Sequence, residues 1–218
     1  ESDHQADADD APVEDSSADG TPISALPEDF PMELTFSSGA GAWRTVLTLQ
    51  PDGSFTGQYS DWDGGGDPSQ YPEGISYLCS FRGTFSDLRQ LDEHSYSMIL
   101  ENLTCQEAEG AEWVEDDTLY IGSSPYGLEG GTVFYLYTPE TSTDVLTTEA
   151  LQVGWPEWNL PDTVPEGQLG CWMLYNQDMV QALFSYQEQA RRRQEIPAAA
   201  VFFPGLLWKL RRRYGRTM

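Results

Sequence analysis

The chain has 218 residues, room for one sizeable core plus tails, and its 39% apolar and 12% aromatic content suffices for a globular β domain. It carries 36 acidic and 11 basic residues, and the imbalance is uneven: residues 1–190 hold three basic side chains against 35 acidic ones, whereas the last 28 residues hold eight against one. A body this acidic repels nucleic acid and anionic lipid, so nucleic-acid binding is excluded for it, while divalent cations and basic partners are attracted.

Residues 1–29 are rich in Asp, Ala, Ser and Pro and nearly free of large apolar side chains. Such a stretch buries too little to offset its ordering entropy, and it is expected to be a disordered acidic tether. The folded domain is expected over residues 30–186. Within it, Trp43–Gln50 and Ser54–Ser60 alternate apolar and polar residues on either side of Pro51-Asp52-Gly53. Period-two patterning around a glycine-containing turn predicts a β-hairpin. Further strands are predicted at Met32–Ser37, Ile75–Phe85, Ser95–Leu103, Thr118–Ser123, Thr132–Thr138 and Gly170–Asn176. Phe55-Gly57-Tyr59 and Phe81-Gly83-Phe85 repeat an F-x-G-x-[YF] pattern, and glycine between inward aromatics lets a strand bend sharply. The fold class expected is mainly β: an antiparallel up-and-down barrel or a strongly bent sheet.

The segment 154–158 (GWPEW) opens a Pro-interrupted crossing, read as a loop over the body. From Met179 the run MVQALFSYQEQARRRQ is helix-compatible, and residues 187–218 are expected to form a helical, basic tail. A thirteen-residue apolar run followed by KLRRRYGRTM is compatible with a membrane-surface segment, a wall-sorting end, or docking on the acidic body. No run is long enough for a transmembrane helix, and the chain, which begins at Glu1, is expected to be a mature or trimmed form of an exported protein.

Cys79, Cys105 and Cys171 are the three cysteines. If Tyr77–Phe85 pairs with Ser95–Asn102 across the intervening connection, Cys79 falls near Asn102 and within a few residues of Cys105. A Cys79–Cys105 disulfide is then feasible, with three buried thiols as the alternative, and Cys171 is left over in an apolar run.

Gly41, Trp43, Asp52, Gly53, Gly57 and Tyr59 resemble the G-x-W and D-G-x-x-x-G-x-Y elements that open the barrels of calycins, the lipocalin and avidin superfamily. Over residues 30–178 the chain also resembles secreted lipoproteins of Gram-positive gut bacteria. The shared features are the SGAGAW start, the DGSFxGxY hairpin, the Tyr71–Gly74 loop, the Cys79–Phe85 strand, Pro125–Leu128 and Leu174–Asn176. These resemblances imply a calycin-like β-barrel. They further imply an extracellular or cell-surface location in a bacterium, with lipid attachment through an upstream cysteine; membrane contact otherwise falls to the basic tail. The tryptophan of a G-x-W motif also serves as a structural plug at the barrel's end.

Chemistry is sparsely signalled. Asp61, Asp63 and Asp67 alternate on a Gly-rich loop able to wrap Ca²⁺, a hard cation that takes several oxygens, or simply to form a solvated turn. Trp43, Tyr59, Trp155 and Trp158 are the candidate ligand-contacting aromatics, the last two placed to stack on sugars or to pack their loop on the barrel. No nucleophile, zinc or phosphate-loop motif occurs, and the only body histidine is His94 in an acidic turn. The function expected is therefore a non-catalytic surface or secreted binding module for a small molecule, glycan or peptide. The alternatives are a carbohydrate-active hydrolase using two carboxylates and a scaffold that oligomerises through the basic tail.

Overall fold

A computed structural model of the chain describes residues 20–38, 42–67, 69–152, 160 and 162–185. In chain order its strands are β1 (Thr21–Pro22), β2 (Met32–Ser37), β3 (Trp43–Leu49), β4 (Ser54–Asp63), β5 (Ile75–Gln90) and β6 (Ser95–Cys105). They continue with β7 (Glu112–Glu115), β8 (Thr118–Gly122), β9 (Val133–Tyr137), β10 (Met173–Asn176) and β11 (Gln181–Phe184), and one short helix, α1, covers Thr148–Gln152.

Eight of these strands, β2 to β6 and β9 to β11, each pair antiparallel with their neighbour. The ring closes where Phe184 of β11 meets Thr35 of β2. The result is a closed up-and-down barrel, the first of the two expected architectures, and closure leaves no free edge among its strands. The β7–β8 hairpin is an excursion between β6 and β9, and β8 runs parallel to the start of β5.

The F-x-G-x-[YF] repeat is explained by register. Phe55 faces Gly83 and Gly57 faces Phe81 across the β4–β5 pair, so each ring lies over its partner strand's glycine. A side chain at Gly83 would meet the Phe55 ring, with Cε2 at 2.9 Å, and the Asn102 carbonyl oxygen closer still. Only glycine lets the ring lie flat on the backbone there, a device that bends and covers a curved sheet.

The inward residues fill the barrel. Phe85, Phe134, Leu34, Leu47, Leu49, Met98 and Leu136 are essentially inaccessible and belong to one contiguous cluster. Phe85 packs against Phe55 at 4.8 Å and Phe134 at 5.0 Å between ring centroids. A second cluster lies outside the wall, where Met173, Tyr175, Ala182 and Phe184 are buried beneath Ala150 of α1, Leu169 and Cys171. β10 and β11 are thus covered on both faces.

That double burial accounts for one correction. The helix-compatible run that begins at Met179 holds, in its described residues 179–185, the closing strand β11 rather than helix. All four of its residues are buried, so no period-two pattern shows, and Val180 adopts a left-handed φ of 52° that ends any helical run. The predicted strand at Thr118–Ser123 forms but lies outside the barrel, and β11 takes the eighth place. The β5–β6 register also differs from expectation. Asn102 faces Thr84 rather than Cys79, because β5 continues through irregularities at Thr84/Phe85 and Ser86/Arg89 to Gln90. Residues 20–29, read from composition as part of the tether, lie on the body: Leu26 is buried and the Ile23 N–H donates to the Leu88 carbonyl at 2.9 Å. The rest of the expected tether and the residues of the basic tail lie outside the described residues.

Candidate functional site

At one end of the barrel Trp43 and Tyr59 are brought together, around a third aromatic. Tyr126, from the turn that follows β8, inserts with its ring 4.9 Å from Trp43, 5.3 Å from Phe36 and 6.2 Å from Tyr59. The Thr45 hydroxyl donates to the Tyr126 carbonyl at 2.6 Å, and Asn176 Nδ2 donates to the Gly127 carbonyl at 3.3 Å. The segment 125–129 therefore stops the end of the barrel, with Trp43 half-buried at the rim. Burial pushes the Tyr59 phenol up to about 12, with the Asp61 and Glu129 carboxylates adding to the effect. Burial also raises the Glu129 carboxyl, against the opposing backbone N–H groups of residues 127–129.

The three aspartates of the proposed Ca²⁺ loop are each engaged locally or apart from one another. Asp63 Oδ1 accepts from the Gly65 N–H at 2.7 Å, and Asp67 Oδ1 accepts from the Ser69 N–H at 2.9 Å and its hydroxyl at 2.7 Å. Those hydrogen bonds lower the Asp67 carboxyl. Asp61 lies two residues before Asp63 on β4 and pairs with Tyr77 across the sheet. Among the described residues no three His, Cys, Asp or Glu side chains are grouped to hold a metal ion. Trp155 and Trp158 lie outside the described residues. Cys79 and Cys105 are adjacent thiols with 2.8 Å between sulfurs.

An open depression lies on the outside of the wall. About 380 Å³ in volume, it is lined by Gln50, Ser54, Phe55, Thr56, Arg82, Gly83, Thr84, Asn102 and Thr104. Strand register builds this face: Thr48 faces Thr56, Thr56 faces Arg82, and Arg82 faces Thr104, while Ser54 and Asn102 flank Thr84. The outward row is thus hydroxyls and amides around one guanidinium. Arg44 pairs with Glu33 at 3.9 Å and Arg89 with Asp87 at 3.0 Å, whereas Arg82 has no ion-pair partner among the described residues. Sequence reasoning missed this face. The alternation places Thr56, Arg82 and Thr84 outward, but only the register aligns them with Asn102 and Thr104.

Compared with protein-family models, with curated proteins and with solved structures, the chain matches none. No helix among the described residues is long and apolar enough to cross a membrane.

Proposed function

We propose that this domain is a non-catalytic binding module of the bacterial surface or its surroundings, and that it takes a glycan on the outer face of β4, β5 and β6. The observation that carries the reading is the location of the cavity. Where calycin-like barrels invite a search of the interior, the inward side chains here form a single packed cluster, and the concave surface lies outside it.

Its lining suits a polyhydroxylated ligand. Thr56, Thr84, Thr104 and Ser54 offer hydroxyls that both donate and accept, Gln50 and Asn102 offer amides, and the paired strands β4, β5 and β6 hold all but Gln50 in register. Arg82 adds a fork of donors able to grip a carboxylate bidentately. The net charge of −25 disfavours polyanions. The ligand class is therefore a neutral glycan or one bearing isolated carboxylates, such as a uronic acid, rather than a sulfated chain. An upstream lipid anchor, implied by the resemblance to secreted lipoproteins, would hold the module at the cell surface.

Thermal-shift screening against neutral, uronate-bearing and sulfated oligosaccharides tests this directly. A ligand that binds only the native state raises the melting temperature by mass action. The expected result is a shift with members of the first two groups that is lost in Arg82→Ala for uronates and in Thr56→Val/Thr84→Val for both. No shift across the panel, or equal shifts in wild type and variants, refutes the assignment.

A further inference from the structure

We propose that Cys79 and Cys105 close into a disulfide that clasps the root of the β7–β8 arm. Cys79 shares the inner face of β5 with Phe81, and Cys105 is the residue opposite Phe81 on β6, so both thiols point to the same side of the sheet. Their sulfurs are in contact at 2.8 Å. The backbone around them is already fixed. The Gln106 N–H donates to the Ser80 carbonyl at 2.8 Å as the chain leaves β6, and the Ser123 N–H donates to the Leu78 carbonyl at 2.8 Å as it returns. The arm therefore departs and lands on the two neighbours of Cys79. Glu107 adds a further tie, accepting from the Ser80 N–H at 2.6 Å and its hydroxyl at 3.1 Å. With the sulfurs already in contact, oxidation would lock this junction covalently. Cys171 belongs to the separate cluster outside the wall and remains a thiol.

The two sulfurs differ in access, which sets the order of events. Cys79 is wholly buried and Cys105 is partly exposed. With a low-molecular-weight disulfide as oxidant, the Cys105 thiolate attacks one of its sulfurs, forming a mixed disulfide and expelling one small thiolate. Cys79 then loses its proton and attacks the Cys105 sulfur, breaking the mixed disulfide and releasing the second small thiol. Two protein thiols are oxidised by two electrons, and one small disulfide is reduced to two thiols. Burial holds the Cys79 thiol well above its ordinary range, which keeps it from acting first.

The test is alkylation of the full chain under denaturing conditions after equilibration with excess oxidised glutathione, followed by peptide mass spectrometry. One alkylated cysteine, Cys171, and a peptide pair joined through Cys79 and Cys105 with two hydrogens fewer are expected, against three alkylated cysteines after reduction. Cys79→Ser should accumulate glutathione on Cys105, whereas in folded Cys105→Ser the buried Cys79 should stay unmodified. Cys171→Ser should leave the clasp intact. Amide hydrogen exchange in residues 106–123 should slow on oxidation. Three alkylatable thiols in the oxidised sample, a linkage involving Cys171, or glutathione on Cys79 in Cys105→Ser overturns the proposal. Circular dichroism confirms that each variant is folded, and none of these readouts depends on the glycan assignment.

Discussion

Replacing Gly83 by alanine probes the arrangement that bends the barrel wall. The added methyl would lie 2.9 Å from Phe55 Cε2, closer still to Phe55 Cζ, and against the Asn102 carbonyl oxygen. Carbon atoms pack best at about 3.5–4.0 Å, so each contact lies deep in the repulsive range. The ring has nowhere to go: Phe55 is 2% exposed and held by Phe85 at 4.8 Å and Phe81 at 6.3 Å. The carbonyl belongs to β6 and moves only if the β5–β6 ladder gives. Overpacking of this kind costs about 1–3 kcal/mol, and the backbone contact puts Gly83→Ala near the upper end, about 3 kcal/mol. Gly110→Ala is the control. It has a left-handed φ of 74° but nothing within 4 Å, and should lose only about 1 kcal/mol from backbone strain. Urea unfolding, with the slope checked for constancy, measures both. The Phe55→Leu/Gly83→Ala double variant should be less destabilised than the two single losses added together, because the shorter side chain frees room for the methyl. Gly83→Ala no less stable than Gly110→Ala would refute this account of the F-x-G pattern.

Phe184→Ala, at a fully buried residue of the closing strand, should cost about 3–5 kcal/mol in the same assay; a loss under about 1 kcal/mol would mean that β11 does not complete the wall. Thr45→Val removes the hydroxyl that holds the Tyr126 carbonyl and should cost about 1–3 kcal/mol, with faster hydrogen exchange confined to residues 125–129; unchanged exchange there would deny the stopper its anchor. Tyr59 has its phenol raised from 10.0 to about 12. The unfolded chain therefore loses that proton first, and the native state's advantage, full below pH 10, is lost between pH 10 and 12. Tyr59→Phe should flatten the alkaline decline in stability by about 2–3 kcal/mol over that window, and an unchanged decline would place the ring in water.

How much of this was legible in the chain depended on which faces were wet. The β3–β4 hairpin has one buried and one solvated face, so its alternation predicts both strands and their facing. Gly57 and Gly83 signalled bending, though not that Phe81 and Phe55 would cover them reciprocally, because that depends on pairing. β11 was hidden for the opposite reason: buried on both sides and only four residues long, it shows no period and mimics a helix start. The outer groove was equally hidden. Thr56, Arg82, Thr84, Asn102 and Thr104 are ordinary outward residues on three strands, and a one-residue slip would disperse them. Trp43 and Tyr59 were read only as candidate ligand-contacting aromatics; that they meet at one barrel end was hidden, because Tyr126, a residue without any catalytic chemistry of its own, is what joins them.

The central claim is that this barrel is solid within and offers its concave surface without. Titrating the native chain with an apolar fluorescent probe and, separately, with the best uronate or neutral oligosaccharide from the screen tests it most directly, in wild type and Arg82→Ala. The account expects no saturable uptake of the apolar probe and saturable oligosaccharide binding, weakened by Arg82→Ala where the sugar carries a carboxylate. One-to-one uptake of the apolar probe, indifferent to Arg82→Ala and accompanied by altered Trp172 emission from the interior, would contradict it.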